Sequence, residues 1–188
     1  MTIGPQYSES ARRGYPHSGI LEGVQGRIVQ VSLGPGGVPN RAVPEALVTK
    51  AGLAGDSFRH PSIHGGFRQA VLIVTSEGIE ELKERGYALY PGALGENLTT
   101  EGIPRQGIRP GQTWRVGADV ILEITKRRAP CKTLQVYGPS IQNDIFDAQM
   151  KANDESSPVW GLSGLYARVI EGGVVRPGDP IFLIGQDV

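Results

Sequence analysis

Short apolar runs separated by glycine and proline recur along the whole chain. The run at 24–33 carries Ile28, Val29, Val31 and Leu33, which predicts a strand closed by Gly34-Pro35-Gly36-Gly37. A weaker strand pattern follows at 45–50. The segment 69–75 (QAVLIVT) is the strongest strand, and its unbroken apolar character predicts burial on both faces. Further strands are expected at 112–116, 120–126, 164–171 and 180–184. One helix starts at Ser76, read as its cap, with Glu77 in the first turn and a narrow stripe of Ile79 and Leu82. Glu81 and Arg85 stand at i,i+4, and Gly86 suits the position just past the C-terminus. A second helical region is expected from 131 to about 150, broken at Gly138-Pro139. The polar segment 151–158 (KANDESSP) reads as an exposed loop, its possible role as a lid left open.

Two similar tetrapeptides, Arg109-Pro110-Gly111-Gln112 and Arg176-Pro177-Gly178-Asp179, each precede an apolar strand. Proline presets φ and glycine tolerates φ > 0, so both fit type II turns. They suggest two similar strand entries in a β-rich barrel with few helices. Residues 1–22, rich in Ser, Gly and Pro and without periodicity, read as an arm; residues 23–188 read as a single domain.

Composition sharpens this picture. The 27 Gly and 14 Pro make about 22 % of the 188 residues, against a usual share of roughly 12 %. Because they are spread between apolar runs, they indicate many tight turns. Nineteen basic and 19 acidic residues give zero formal charge, which argues against broad nucleic-acid or anionic-membrane binding. The longest apolar stretch, 70–74, is too short for a transmembrane helix. No apolar segment follows Arg12 and Arg13 as in a secretory leader, so a cytoplasmic location is expected. One cysteine excludes an internal disulfide and a CxxC-type zinc or iron–sulfur site.

Thiol chemistry therefore has a single address, Cys131, in Arg127-Arg128-Ala129-Pro130-Cys131-Lys132. At the start of a helix opened by Pro130, amide groups, two arginines and a lysine would all favour the thiolate. The alternative is a packed, inert cysteine. His60 and His64 have i,i+4 spacing, but Pro61 interrupts a helix there. His64-Gly65-Gly66 reads either as an anion-facing turn or as a turn histidine bonded to backbone; His17 carries no assignment. Gly55-Asp56 and Gly95-Glu96-Asn97-Leu98 are turn chemistry and weak signals singly. Arg68, Arg127, Arg128 and Lys132 could meet a phosphate or simply be solvated. A Walker A loop, GxGxxG and a nucleophile elbow are all missing from the sequence.

In this order the motifs resemble a MOSC domain, the family named after the C-terminal part of molybdenum cofactor sulfurases. The elements are Gly52-Leu53-Ala54-Gly55-Asp56, His64-Gly65-Gly66, PGALGENLT at 91–99, Arg128-Ala129-Pro130-Cys131, Gly164-Leu165-Tyr166-Ala167-Arg168-Val169 and Pro177-Gly178-Asp179. The resemblance spans roughly residues 24–183. It implies a mainly β fold, a closed barrel of the pyruvate-kinase-barrel-like type with a few short helices. It also implies molybdenum cofactor (molybdopterin) binding, with Cys131 as metal ligand or persulfide carrier. His64, Gly65, Gly66, Arg68, Glu96, Asn97, Arg127, Arg128 and Lys132 are then expected to bind the cofactor. Three functions follow: reduction of N-hydroxylated small molecules with a separate electron-transfer protein; sulfur carriage from a cysteine desulfurase toward molybdenum-cofactor or metal–sulfur cluster assembly; or a non-catalytic ligand-binding module.

Overall fold

Alternation along the strands determines which side of each one enters the core. In the computed structural model, which describes residues 25–57 and 66–186, β7 (Gln112–Val116) buries Gln112, Trp114 and Val116 and half-exposes Thr113 and Arg115. Its partner β8 (Val120–Arg127) buries Val120, Leu122 and Ile124 in the same core, while the intervening Glu123 meets Arg168. A period of two therefore sorts core from exterior.

Seven strands form a closed ring. In spatial order they are β1 (Gln25–Leu33), β11 (Pro180–Gln186), β7, β8, β9 (Leu165–Glu171), β5 (Val71–Thr75) and β6 (Leu98–Glu101), which returns to β1. All neighbours are antiparallel except β5 and β6. That parallel pair needs a crossover, which contains α1 (Ser76–Glu84). Short β2 (Arg41–Val43) adds to β1, and β3 (Ala46–Thr49), β4 (Gly52–Leu53) and β10 (Gly173–Val175) form a small second sheet. The mainly β closed barrel with a few short helices is thus the observed fold.

The two repeated turns have the expected form. Gly111 and Gly178 sit at φ 87° and 91°, and Gln112 and Asp179 donate their amides to the carbonyls of Arg109 and Arg176. In α1, Ile79 and Leu82 are buried, Glu81 pairs with Arg85, and Gly86 follows the end at φ 96°. The cap is Thr75, not Ser76: the Thr75 hydroxyl accepts the amide of Gly78 at 3.2 Å. Among the described residues no helix is long and apolar enough to cross a membrane.

The second helical region is corrected more strongly. It consists of a 3-10 turn at Lys132–Tyr137, then α2 (Ile141–Asp144) and α3 (Ala148–Lys151). Gly138 at φ 149° breaks the chain between the first two, and Pro130 lies before the turn instead of in it. The segment 151–158 is mostly exposed, but Ser157 is buried and accepts the amide of Val159. Strands β2, β4, β6 and β10 escaped the sequence pattern because they hold two to four residues. In β6, the buried hydroxyl residues Thr99 and Thr100 interrupt any apolar run.

Candidate functional site

The outer wall of the barrel at β5 and β9 carries a cleft. Leu72 and Tyr166 are direct cross-strand partners and so share one face. Their neighbours Val71, Ile73, Leu165 and Ala167 enter the barrel core, whereas Leu72 and Tyr166 are buried outside it. These two side chains form part of the wall of this cleft of about 230 Å³, which is also lined by Gly37, Val38, Asn40, Asp56, Ser57 and Gln69. Cys131, Lys132 and Thr133, following β8, complete its lining with Arg128, Asn97 and Gly95.

Cys131 has extended backbone geometry (φ −95°, ψ 164°) immediately before the 3-10 turn and is half-buried. Its Sγ lies 2.6 Å from the Thr133 hydroxyl and 4.0 Å from Arg128 Nη2. Burial, the largest single influence, opposes ionisation. The Thr133 hydroxyl, the Arg128 charge and the amides of Thr133 and Cys131 together outweigh it and hold the thiol below its ordinary value. The thiolate is therefore favoured by side chains and local amides, without the expected helix.

The adjacent arginines separate because successive residues point to opposite sides. Arg128 is only 5 % exposed and lies in the cleft; Nη1 reaches the Ser163 carbonyl at 3.4 Å, and Nε has no hydrogen-bond partner. Arg127 instead stacks 4.9 Å over Phe146 and donates to the Lys151 carbonyl at 3.1 Å. It does not line the cleft, and burial lowers its pKa. Arg68 lies exposed on the 3-10 turn Phe67–Gln69, also off the lining, while its carbonyl accepts from Thr125. Gly66 begins that turn at φ 83°. His64 and Gly65 lie outside the described residues, as do His60 and the 1–22 arm.

Glu96 and Asn97 both brace the site. Glu96 is fully buried off the cleft: Oε1 accepts the Gly92 amide at 2.6 Å and the Thr99 hydroxyl at 3.0 Å, while Oε2 accepts the Leu94 amide at 3.1 Å. The Asn97 side chain joins three segments: Oδ1 accepts the Leu72 amide, and Nδ2 donates to Asp56 at 2.7 Å and to the Ser32 carbonyl. Asp56 in turn accepts the Gly34 amide at 2.9 Å. The motifs Gly55-Asp56 and PGALGENLT thus meet at one cleft edge.

Among the cleft residues absent from the sequence-based candidates, Thr133 and Tyr166 stand nearest the thiol and its arginine. Thr133 gave no signal beyond its separation of two from Cys131. Tyr166 stands out in the sequence only as part of the 164–169 element; burial raises its phenol pKa, with the Arg128 charge pulling the other way. No cluster of three His, Cys, Asp or Glu residues occurs among the described residues.

The description "MOSC domain" matches residues 60–182. YiiM of Escherichia coli (strain K12) is 28 % identical over 147 residues, covering 76 % of this chain and 60 % of that protein. YflK of Bacillus subtilis (strain 168) is 28 % identical over 127 residues, covering 65 % of this chain and 51 % of that protein. The chain thus spans between half and two thirds of the length of these relatives. The crystal structure of YiiM from Geobacillus stearothermophilus matches with TM-score 0.62 at 23 % identity, covering 85 % of this chain and 75 % of that one. That of the YUAD protein from Bacillus subtilis matches with TM-score 0.61 at 20 % identity, covering 84 % and 94 %. At these identities the structures establish the shared fold. Because the matched segment runs from before β5 to within β11, covering more than half of the chain, the protein belongs to the MOSC domain family.

Proposed function

We propose that this protein holds a molybdenum cofactor in the β5–β9 cleft, with Cys131 as a thiolate ligand to the metal, and reduces N-hydroxylated compounds in the cytoplasm. MOSC domains are linked to molybdenum cofactor binding. The observation that carries the reading is the chain's one cysteine, with its thiolate favoured, at the wall of a cleft beside a buried guanidinium. Molybdenum accepts soft thiolate ligands, and the unpartnered Nε of Arg128 leaves a donor for an anionic group. The residues present therefore fit the group.

Cys131 would hold the metal, Arg128 and Lys132 the phosphate charge, and the Gln69 amide a polar edge of the pterin; Asn97 keeps the wall in place. When bound, the cofactor supplies reversible two-electron redox chemistry. Reduction of an N–OH group consumes two electrons and two protons and yields N–H and water. The electrons come from a separate electron-transfer protein, and Tyr166, whose phenol pKa burial pushes further up, keeps its proton in the cleft it shares with Arg128. The same half-buried, cleft-lining thiolate favours a second reading, carriage of a persulfide sulfur delivered by a cysteine desulfurase.

Metal analysis of protein from a molybdenum-cofactor-competent host tests the first reading. Stoichiometric molybdenum in the wild type, lost in Cys131→Ser, is expected. Metal-free protein that still reduces N-hydroxylated compounds would sink it. A one-sulfur mass increase on Cys131 after incubation with a desulfurase and cysteine, without bound molybdenum, would establish the second reading in its place.

A further inference from the structure

Arg128 occupies an unusual electrostatic position. Nη1 reaches the Ser163 carbonyl at 3.4 Å, Nη2 lies 4.0 Å from the Cys131 sulfur, and the Tyr166 phenol lines the same cleft. Nε has no partner, and no ion pair among the described residues includes this side chain. The nearby Glu96 carboxyl is occupied by two amides and a hydroxyl. Burying a guanidinium without a close counter-charge is costly. Its placement is accounted for by negative charge that is present, or develops, beside Cys131.

The Thr133 hydroxyl also stands 2.6 Å from the sulfur, and both residues line the cleft. The sulfur therefore has a hydroxyl and a cation beside it, with room for a small molecule. Attack on an O–O bond needs this set: a nucleophile, a hydrogen-bond group for the attacked oxygen, and a cation where charge develops on the departing one.

We propose that Cys131 is a peroxide-reactive site, at which the thiolate reduces hydrogen peroxide with the Thr133 hydroxyl and the Arg128 guanidinium stabilising the transition state. A sulfur lone pair attacks one peroxide oxygen and forms the S–O bond as the O–O bond breaks. The second oxygen leaves as hydroxide and takes a solvent proton to become water. Sulfur is oxidised by two electrons to the sulfenic acid, and the peroxide is reduced by the same two. The chain has no second cysteine to form an internal disulfide. A low-molecular-weight thiol instead condenses with the sulfenic acid, releasing water, and a second such thiol restores Cys131. The consequence for metal binding, withdrawal of the ligand by oxidation, rests on the reading above; the peroxide step itself needs no cofactor.

The full-length, metal-free protein is treated with hydrogen peroxide and a 1,3-diketone trap, and adduct formation on Cys131 is followed by mass spectrometry. Iodoacetamide, which needs the thiolate but no oxyanion stabilisation, is run in parallel at a pH where the thiol is ionised in every variant. Wild-type Cys131 is expected to exceed free cysteine thiolate toward peroxide by about tenfold or more. Thr133→Val and Arg128→Gln should each remove most of that excess while the iodoacetamide rate barely moves, and Thr133→Ser should restore it. Equal rates for the wild type and free cysteine thiolate overturn the proposal, as does equal slowing toward both reagents or failure of the serine rescue. Circular dichroism checks each variant; should Arg128→Gln not fold, the Thr133 pair decides alone. Molybdenum loading of the wild type is measured independently, so the two readings fail separately.

Discussion

At the residue scale, the reactivity of Cys131 is a balance in which burial is opposed by Thr133, Arg128 and two amides. The sign of its pH dependence follows. A lowered thiol pKa places more thiolate at neutral pH than a free cysteine has, so the alkylation rate should reach half its maximum at a lower pH than for an ordinary cysteine thiol. In Arg128→Gln the burial effect meets less opposition, and the midpoint should move upward. Iodoacetamide rates across a pH series check this; a midpoint that does not move would show that Arg128 leaves the sulfur unaffected. Cys131 was legible because it is the chain's one thiol, and the basic residues around it marked a charged setting. The separation of Arg127 from Arg128 was not legible, since it depends on where β8 ends and which way each side chain leaves it. Thr133 is equally hidden: proximity along the chain does not reveal a hydroxyl turned back onto sulfur.

At the element scale, the segment between α1 and β6 forms a cleft edge through main-chain and buried polar bonds. Gly92, at φ 93°, approaches the Asn40 carbonyl so closely that a Cβ would stand 2.5 Å from it. Nearby, the Glu96 carboxyl gathers the Gly92 and Leu94 amides and the Thr99 hydroxyl. Glu96→Ala would leave these donors buried without their acceptor and should cost about 3 kcal/mol or more, read as a lower denaturation midpoint. Burial, the foremost influence, raises the Glu96 pKa despite those hydrogen bonds and the Arg128 charge. A carboxyl raised in the folded state contributes most stability below its unfolded pKa and loses it as pH rises through the folded value. The wild type should therefore lose stability over that interval, and Glu96→Gln should lack this step in a pH series of unfolding curves. The PGALGENLT motif marked the segment in the sequence, yet its glutamate pointed as readily to ligand binding as to bracing. Burial in three dimensions makes that distinction, and residue spacing along one segment does not.

At the scale of the whole molecule, the β-barrel and the cleft use opposite faces of the same strands. Inward residues such as Val71, Ile73, Leu122 and Leu165 make the core, while Leu72 and Tyr166 face the cleft. Turn chemistry made the barrel class legible: Gly111 and Gly178 occupy the positive-φ positions their tetrapeptides required. The pairing that closes the ring, Gln25–Arg27 of β1 against Pro180–Phe182 of β11, joins distant parts of the chain and leaves no local pattern. The division of faces separates stability from reactivity. Leu122 is fully buried within the core, and Leu122→Ala should cost about 2–5 kcal/mol by lost burial and the cavity left behind. Because Leu122 neither lines the cleft nor contributes to the Cys131 electrostatics, the alkylation midpoint below the melting transition should match the wild type. Thermal unfolding followed by circular dichroism, paired with the alkylation series, measures both quantities on one sample. A lowered melting temperature with an unchanged midpoint is the expected result. A midpoint that shifts with it would mean that the core sets the thiol's environment through the strands, and that the two faces act as one unit.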